Sequence, residues 1–463
     1  MRDMLATKQG RLLTFFLLYV TEGIPLGFTA TAVAAQMRRH GVTPGQIGLF
    51  VGSLYLPWAW KWAAGPVVDL VYSDRLGRRR AWIVACQCGM MLTLLAAMPV
   101  DFSARFTLFT WIILAHNAFG AVQDVAIDAL AVSTLREDER GLGNGLMFAG
   151  ANVGQAVGGA GVLFLTRFVP TFNLTFLMVV AAIASITLGV TLRLRERPGP
   201  RPGAEKGGGA EGEGEAPPPR RRIGAELRAY VITAARAMVG SRSAFAALVL
   251  ALLPMGAYAL GLALSSNLSV ELGMNNDAIA LLSLVSTMLG AAGCVVGGHL
   301  SDRFGRRRTI ALYVVGMVIP NLFMAAAMRK YGWVMPVDPR AANKPLAPAT
   351  LLWVFWVASC AYAWFQGLMY GARTALYMDV SNPAVAATQF TAYMAMLNVV
   401  IAYSAAWQGH AVERWGYPIT LTVDAAAGLV CLALLPFVRK RPPDAPETVP
   451  GPSVERAVEI PVA

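Results

Sequence analysis

The stretch SDRLGRRR, Ser73 to Arg80, returns 228 residues later as SDRFGRRR, Ser301 to Arg308, with seven of eight positions identical. Each copy sits between two apolar runs. Short arginine-rich turns between apolar segments mark one face of a membrane, and their repetition points to two related halves. Outward from the two copies, twelve mostly apolar segments can be placed, each near the ~20 residues needed to cross a bilayer. They fall at about 12–36, 46–69, 81–100, 106–132, 142–166, 172–192, 243–270, 278–300, 309–328, 349–378, 386–409 and 417–438. The pattern predicts an all-α membrane protein of two six-helix bundles, 1–192 and 243–440, with a linker at 193–242 and a tail at 441–463.

Composition agrees. The 463 residues are 56% hydrophobic with a mean hydropathy of +0.52, and only 14% are charged. A soluble domain carries about 25% charged residues. The net charge of +12 comes from short loops and not from a separate basic domain, which excludes nucleic acid as a partner. With the N-terminus inside, cytoplasmic segments hold 28 of the 39 basic residues and outer loops nine. Both termini and the central loop are therefore expected in the cytoplasm, and in a bacterium the location is the inner membrane. The N-terminal run holds Glu22, Gly23 and Pro25 and is too long for a cleaved signal, so it reads as a first span.

The linker's middle, RPGPRPGAEKGGGAEGEGEAPPP, cannot bury a core and reads as disordered. Arg220 to Val239 has spaced apolar and basic residues, the pattern of a surface-lying amphipathic helix or of a partly ordered linker. The five cysteines lie in or beside apolar segments without metal or redox spacing and read as small buried hydrophobes. No HExxH, GxSxG or nucleotide loop is present, and His40, His116, His299 and His410 are scattered. An enzyme is not expected, nor any catalytic residue, metal or cofactor. A membrane sensor is the rival from another class, but the linker is too short and too low in complexity for an output domain.

The informative residues are charges inside spans, which are functional hypotheses by default. QDVAIDA, Gln123 to Ala129, interrupts the fourth span. Asp124 and Asp128 share a helix face, with Gln123 on an adjoining one. Asp128 lies roughly 12 Å deep, eight residues before Arg136, and Asp124 one turn deeper. Two ionised carboxylates there would repel, so they share or exchange a proton or have a basic partner. Lys61 in the second span, eight residues before Asp69, lies at similar depth and is that partner candidate. Glu22 stands mid-span in TEGIPLGF, where Gly23, Pro25 and Gly27 predict a kink or a local loosening that frees backbone groups toward a cavity. In the other half Arg373, in WFQGLMYGARTALYMD, suits a carboxylate or phosphate, with Trp364, Gln366 and Tyr370 preceding it at helical spacing. These aromatics, and Trp58, Trp60 and Trp62, fit packing or lipid contact as well as stacking on a sugar.

The repeated loop resembles the signature of the major facilitator superfamily, a glycine, three residues, then Asp-Arg-x-Gly-Arg-Arg. Gly298, Asp302, Arg303, Gly305 and Arg306 match it in the second copy, and Asp74, Arg75, Gly77 and Arg78 in the first, where Leu70 takes the glycine position beside Asp69. Pairs between such aspartates and arginines, or helix N-termini, would gate the rocking of one half against the other.

Within that group QDVAIDA resembles the Q-D-x-x-x-D segment of the AmpG-type muropeptide permeases. So does ERGLGNGLMFAGANVGQAVGG from Glu139, LPWAWKWAAGPVVD with its lysine and Pro-x-x-Asp ending, and AATQFTAYMAML, Ala386 to Leu397. Acetyl-CoA transporters belong to the same wider group. The resemblance implies proton-coupled import of an anhydro-sugar peptide, with Gln123, Asp124, Asp128 and Lys61 at matching positions. The expectation is a monomeric alternating-access transporter in the lipid bilayer. Glu22, Asp124 and Asp128 include its proton-coupling group, Lys61 is their charge partner, and Arg373 binds an anionic solute. An exporter of drugs or siderophores with the same fold is the alternative.

Overall fold

The computed structural model describes residues 4–70, 77–136, 139–196, 236, 238–381 and 386–439. Asp74 and Arg75, most of the expected linker and all of the tail lie outside them. All regular structure among the described residues is helical.

The first half holds α1 (Lys8–Arg39), α2 (Pro44–Ala59, then a tight turn at Lys61–Ala63 and Ala64–Leu70), α3 (Arg78–Ala97), α4 (Phe106–Thr134), α5 (Arg140–Ala156, running on to Phe168) and α6 (Leu174–Gly189). The second holds α7 (Arg242–Ala251 and Ala263–Glu271), α8 (Asn276–Phe304), α9 (Arg306–Lys330) and α10 (Ala349–Val380). It ends in one helical stretch, Ala386–Leu429, that left-handed Gly416 divides into α11 and α12. Among the described residues nine stretches are long and apolar enough to cross a membrane. One contains both α11 and α12, while α2 and α7 are interrupted, so twelve helices are present.

Local chemistry sets the ends. Thr43 and Gln46 form a capping box before α2, with Pro44 at the first helical position. Asn275 caps α8 and Ser241 caps α7 through side-chain oxygens. The two motif copies fold alike at their glycines: Gly77 before α3 and Gly305 before α9 both have φ near +90°. That conformation is open to glycine and strained for other residues. Outward faces are apolar, with Trp111, Val295, Leu312 and Trp353 each more than 60% exposed, as lipid contact requires.

The loosening expected around Pro25 takes the form of a π-helical stretch at Phe28–Val33, while Gly23 and Gly27 lie tight against α5. Two expectations change in detail. The second span breaks at Trp60, just before Lys61. The seventh, expected to be continuous, breaks between Ala251 and Ala263. The halves meet along α2 with α11 and along α5 with α8.

Candidate functional site

The break in α2 puts Lys61 on a short turn facing α4. Its ammonium lies 2.5 Å from Asp124 Oδ2 and 3.9 Å from Asp128 Oδ2. The Asp124 side chain is 6% exposed, Lys61 20% and Asp128 44%. Tyr19 of α1 donates its hydroxyl to Asp128 Oδ1 at 2.5 Å. The cation thus bridges the two acids one helical turn apart, and the phenol binds Asp128. Asp124 holds the lysine in the interior and Asp128 reaches toward open space. Glu22, one turn along α1 from Tyr19, is buried and within electrostatic range of Asp124, Asp128 and Lys61. Its Oε1 has no hydrogen-bond partner among the described residues. Gln123 is fully buried against α1, where it donates to Thr21 Oγ1 at 2.9 Å, so it stands behind the pair and not in it.

Across the interface Arg373 of α10 is 3% exposed. It donates to Tyr258 Oη at 3.1 Å and lies 5.0 Å from the Tyr370 ring centre, a cation–π contact. Its Nε has no partner among the described residues. Tyr370 also falls within electrostatic range of Lys61. Gln366 donates to Tyr362 Oη at 3.1 Å, and Trp364 packs on the core.

Several contributors had not been singled out in the sequence. Tyr19 carried no signal as a tyrosine in an apolar helix. Asp424 did carry one, standing alone in TLTVDAAAGLV. It is 2% exposed in α12 and spans the break in α7. It accepts the backbone N–H groups of Tyr258 and Ala259 at 2.8 and 2.9 Å, Asn321 Nδ2 at 3.0 Å and Gln408 Nε2 at 2.7 Å. A broken helix in hydrocarbon leaves backbone donors that must be satisfied, and this carboxylate satisfies two. It thereby holds Tyr258, the residue that meets Arg373. Engaged in this way, Asp424 makes no ion pair with the guanidinium.

Arg306 Nη1 binds Asp302 at 2.6 Å and its Nε binds Asp379, at the end of α10, at 2.7 Å. In the first copy the backbone N–H groups of Arg79 and Arg80 bind Glu196, just beyond α6. Gly298 leaves open space where a Cβ would sit, Arg303 lies over the Phe304 ring, and Asp69 is in the last turn of α2. Among the described residues no group of three or more His, Cys, Asp or Glu is set to hold a metal ion.

The sequence profile of the Major Facilitator Superfamily matches residues 12–253 and 246–460. The chain is similar to the anhydromuropeptide permease of Escherichia coli (strain K12), 24% identical over 94% of this chain and 80% of that one. It is also similar to putative transporter AmpG 4 of Rickettsia conorii (strain ATCC VR-613 / Malish 7), 26% identical over 39% of this chain. That match spans only 46% of the Rickettsia protein's length. Among solved structures, the D-xylose–proton symporter aligns with a TM-score of 0.68 at 12% identity over 93% of this chain and 97% of its own. The nucleoside transporter NupG aligns with a TM-score of 0.65 at 13% identity, over 93% and 100%.

Proposed function

The chain belongs to the Major Facilitator Superfamily, and from that premise we propose that it imports an anionic, muropeptide-like solute by proton-coupled alternating access. One observation carries the reading. A lysine sits between two carboxylates in the first half, while the buried Arg373 of the second has no carboxylate within ion-pair distance among the described residues. Lys61 is matched by protein charge, and Arg373 awaits a counter-ion that the solute supplies. Arginine suits a planar carboxylate because its fork donates two parallel hydrogen bonds. The name of the Escherichia coli relative, an anhydromuropeptide permease, suggests the solute class.

The coupling follows from electrostatics. A proton on Asp124 or Asp128 removes half of the pairing that holds α2 to α4 at Lys61. The freed ammonium then competes for the remaining carboxylate, and the two halves can rock. Buried opposite charges make this transfer consequential, because their attraction is far stronger than in water. The partly exposed Asp128 is the group through which protons arrive, and Asp124 the group they release. The excess of basic residues in the arginine-rich loops supports a cytoplasmic position for them.

The test is uptake of labelled anhydro-muropeptide by proteoliposomes with a pH gradient imposed and then collapsed. Uptake that requires an acidic outside, and is lost in Asp124→Asn and Asp128→Asn while both variants remain folded in the membrane, is the expected result. Unchanged concentrative uptake in both variants removes the proton role. No uptake by folded wild-type protein removes the muropeptide.

A further inference from the structure

α1, α5 and α8 converge where α8 begins, at the end of that helix away from Gly305. Arg39, the last residue of α1, donates from Nη2 to the Met274 carbonyl at 2.8 Å. Asn276, in the first turn of α8, donates to Thr166 Oγ1 of α5 at 2.8 Å, and beside it Arg167 lies 3.6 Å from Asp277. These contacts frame a cleft of about 380 Å³ lined by Arg39, Thr166, Arg167, Asn275, Asn276 and Asp277. The lining carries two guanidinium groups and one carboxylate. Arg39 Nε is buried and has no hydrogen-bond partner among the described residues. Arg167 is steadied from α5: its Nε donates to the Phe164 carbonyl at 3.0 Å, and the guanidinium lies 5.6 and 5.4 Å from the ring centres of Phe164 and Phe168.

We propose that this cleft binds the phosphate of an anionic membrane lipid, with the acyl chains lying on the α5 and α8 faces next to it. A phosphodiester carries one negative charge, which balances the excess of one cation in the lining, and the arginine fork suits its oxygens. Basic pockets between spanning helices take lipid headgroups for this reason. The helix faces decide for a lipid over a free anion. Along α8, Leu281, Met288 and Val295 follow Asp277 at intervals that keep one helix face, and all three are exposed. On α5, the exposed Leu165 and Phe168 flank Thr166 and Arg167. Charge at the end of an apolar track is the arrangement a phospholipid presents in reverse. A free anion would leave the apolar part of it unused.

Asp277 does not close the site to an anion. Its pair with Arg167 is long and both groups are about half exposed, a geometry worth little, so a phosphate can compete for the guanidinium. The α8 N-terminus adds the positive end of a 29-residue helix. Arg39 and Arg167 belong to the first half of the molecule and Asn276 to the second. A phosphate held among them therefore ties the halves together at this point of the α5–α8 seam, and a ligand that binds the folded arrangement stabilises it.

The test needs no transported solute, so its outcome is independent of the import reading. The full chain, stripped of lipid in detergent, is titrated with phosphatidylglycerol or with phosphatidylcholine of the same acyl chains and observed by native mass spectrometry. The parent should bind one phosphatidylglycerol several-fold more tightly than phosphatidylcholine, and excess inorganic phosphate should not displace it. Arg39→Gln and Arg167→Gln should each weaken that binding several-fold, whereas Arg105→Gln, at an exposed arginine outside the cleft, should not. Phosphatidylglycerol should also raise the melting temperature of the parent more than that of either cleft variant. Arg167 is about half exposed, so Arg167→Gln carries the test should Arg39→Gln fail to fold. Parent-like binding by the folded cleft variants would overturn the site. Equal binding of the two lipids by the parent would overturn phosphate recognition and leave ordinary apolar lipid contact. Full displacement by inorganic phosphate would overturn the lipid and assign the cleft to a free anion.

Discussion

Replacing Lys61 by methionine removes the cation between Asp124 and Asp128 and leaves the chain stem in place. Asp124 is the more enclosed partner, 6% exposed at 2.5 Å. Breaking a buried pair by removing one member costs ~3–5 kcal/mol. With Lys61 itself 20% exposed, the lower end applies, about 3 kcal/mol. A unit of 150–250 residues shifts by roughly 2–4 °C per kcal/mol, so the first half should melt roughly 6–12 °C lower. Asp124→Asn should cost a similar amount, because it strands the ammonium. Lys61→Met with Asp124→Asn removes both members of the close pair and should cost less than either single variant, far from the sum of about 6 kcal/mol. The assay is thermal melting in detergent followed by fluorescence-detected size exclusion, on the parent, both single variants and the double. Single variants that melt with the parent would refute the reasoning. So would a double variant whose loss equals the sum within ~0.5 kcal/mol, since independent sites add to that accuracy.

Gly48→Ala and Gly52→Ala test the packing of α2 against α11. A Cβ at either position would stand 2.4 or 2.5 Å from the backbone oxygens of Ala405 and Ala402. Neither can yield, so α2 should be wedged from α11 and both variants should melt below the parent; a parent-like melt would show that this close approach does not hold the halves together. Asp424→Asn turns an acceptor that gathers four donors into a partial donor, and buried donors left unpaired cost about 1–3 kcal/mol each. It should melt at least as low as Lys61→Met and lower apparent affinity in uptake through Tyr258, and a parent-like melt would exclude Asp424 as the clamp of the α7 break. The Arg11 hydrogen bond holds the Glu139 carboxyl below its usual value of 4.5. A carboxyl lowered on folding contributes above its unfolded pKa and loses that contribution as pH falls through the folded one. The melting gap between parent and Glu139→Gln should therefore be present at about pH 6 and close below about pH 4; a gap independent of pH would rule out the ion pair as its source.

Much of this molecule was written in one dimension. Span length, the repeated SDR(L/F)GRRR loop and the lone charges Lys61, Asp124 and Asp128 are each legible because hydrocarbon makes polarity expensive, so every exception stands out. Even the pairing of Lys61 with helix α4 followed from counting depth at 1.5 Å per residue. Counting depth said nothing of direction. The sequence placed Gln123 near the charges, but only packing shows it turned onto Thr21. The loosening expected around Pro25 takes the form of a π-helical stretch just after it, and only the packing shows that Gly23 and Gly27 bring α1 tight against α5.

What the tertiary structure alone decided concerns residues far apart in sequence and ordinary in type. Arg38 and Glu271 stand 233 positions apart at the ends of their spans, where basic and acidic residues normally meet water. Nothing local distinguishes them from neighbours such as Arg39. They become a buried pair only because α1 and α7 converge at one end. Tyr258 likewise meets Arg373 only because Asp424, from the last helix, catches the broken backbone of the seventh. Periodicity and the membrane's penalty on charge determine which segments cross and which charges matter. How those segments converge, and therefore which charges neutralise one another and which stand apart from a counter-charge, depends on contacts between helices that no local pattern encodes.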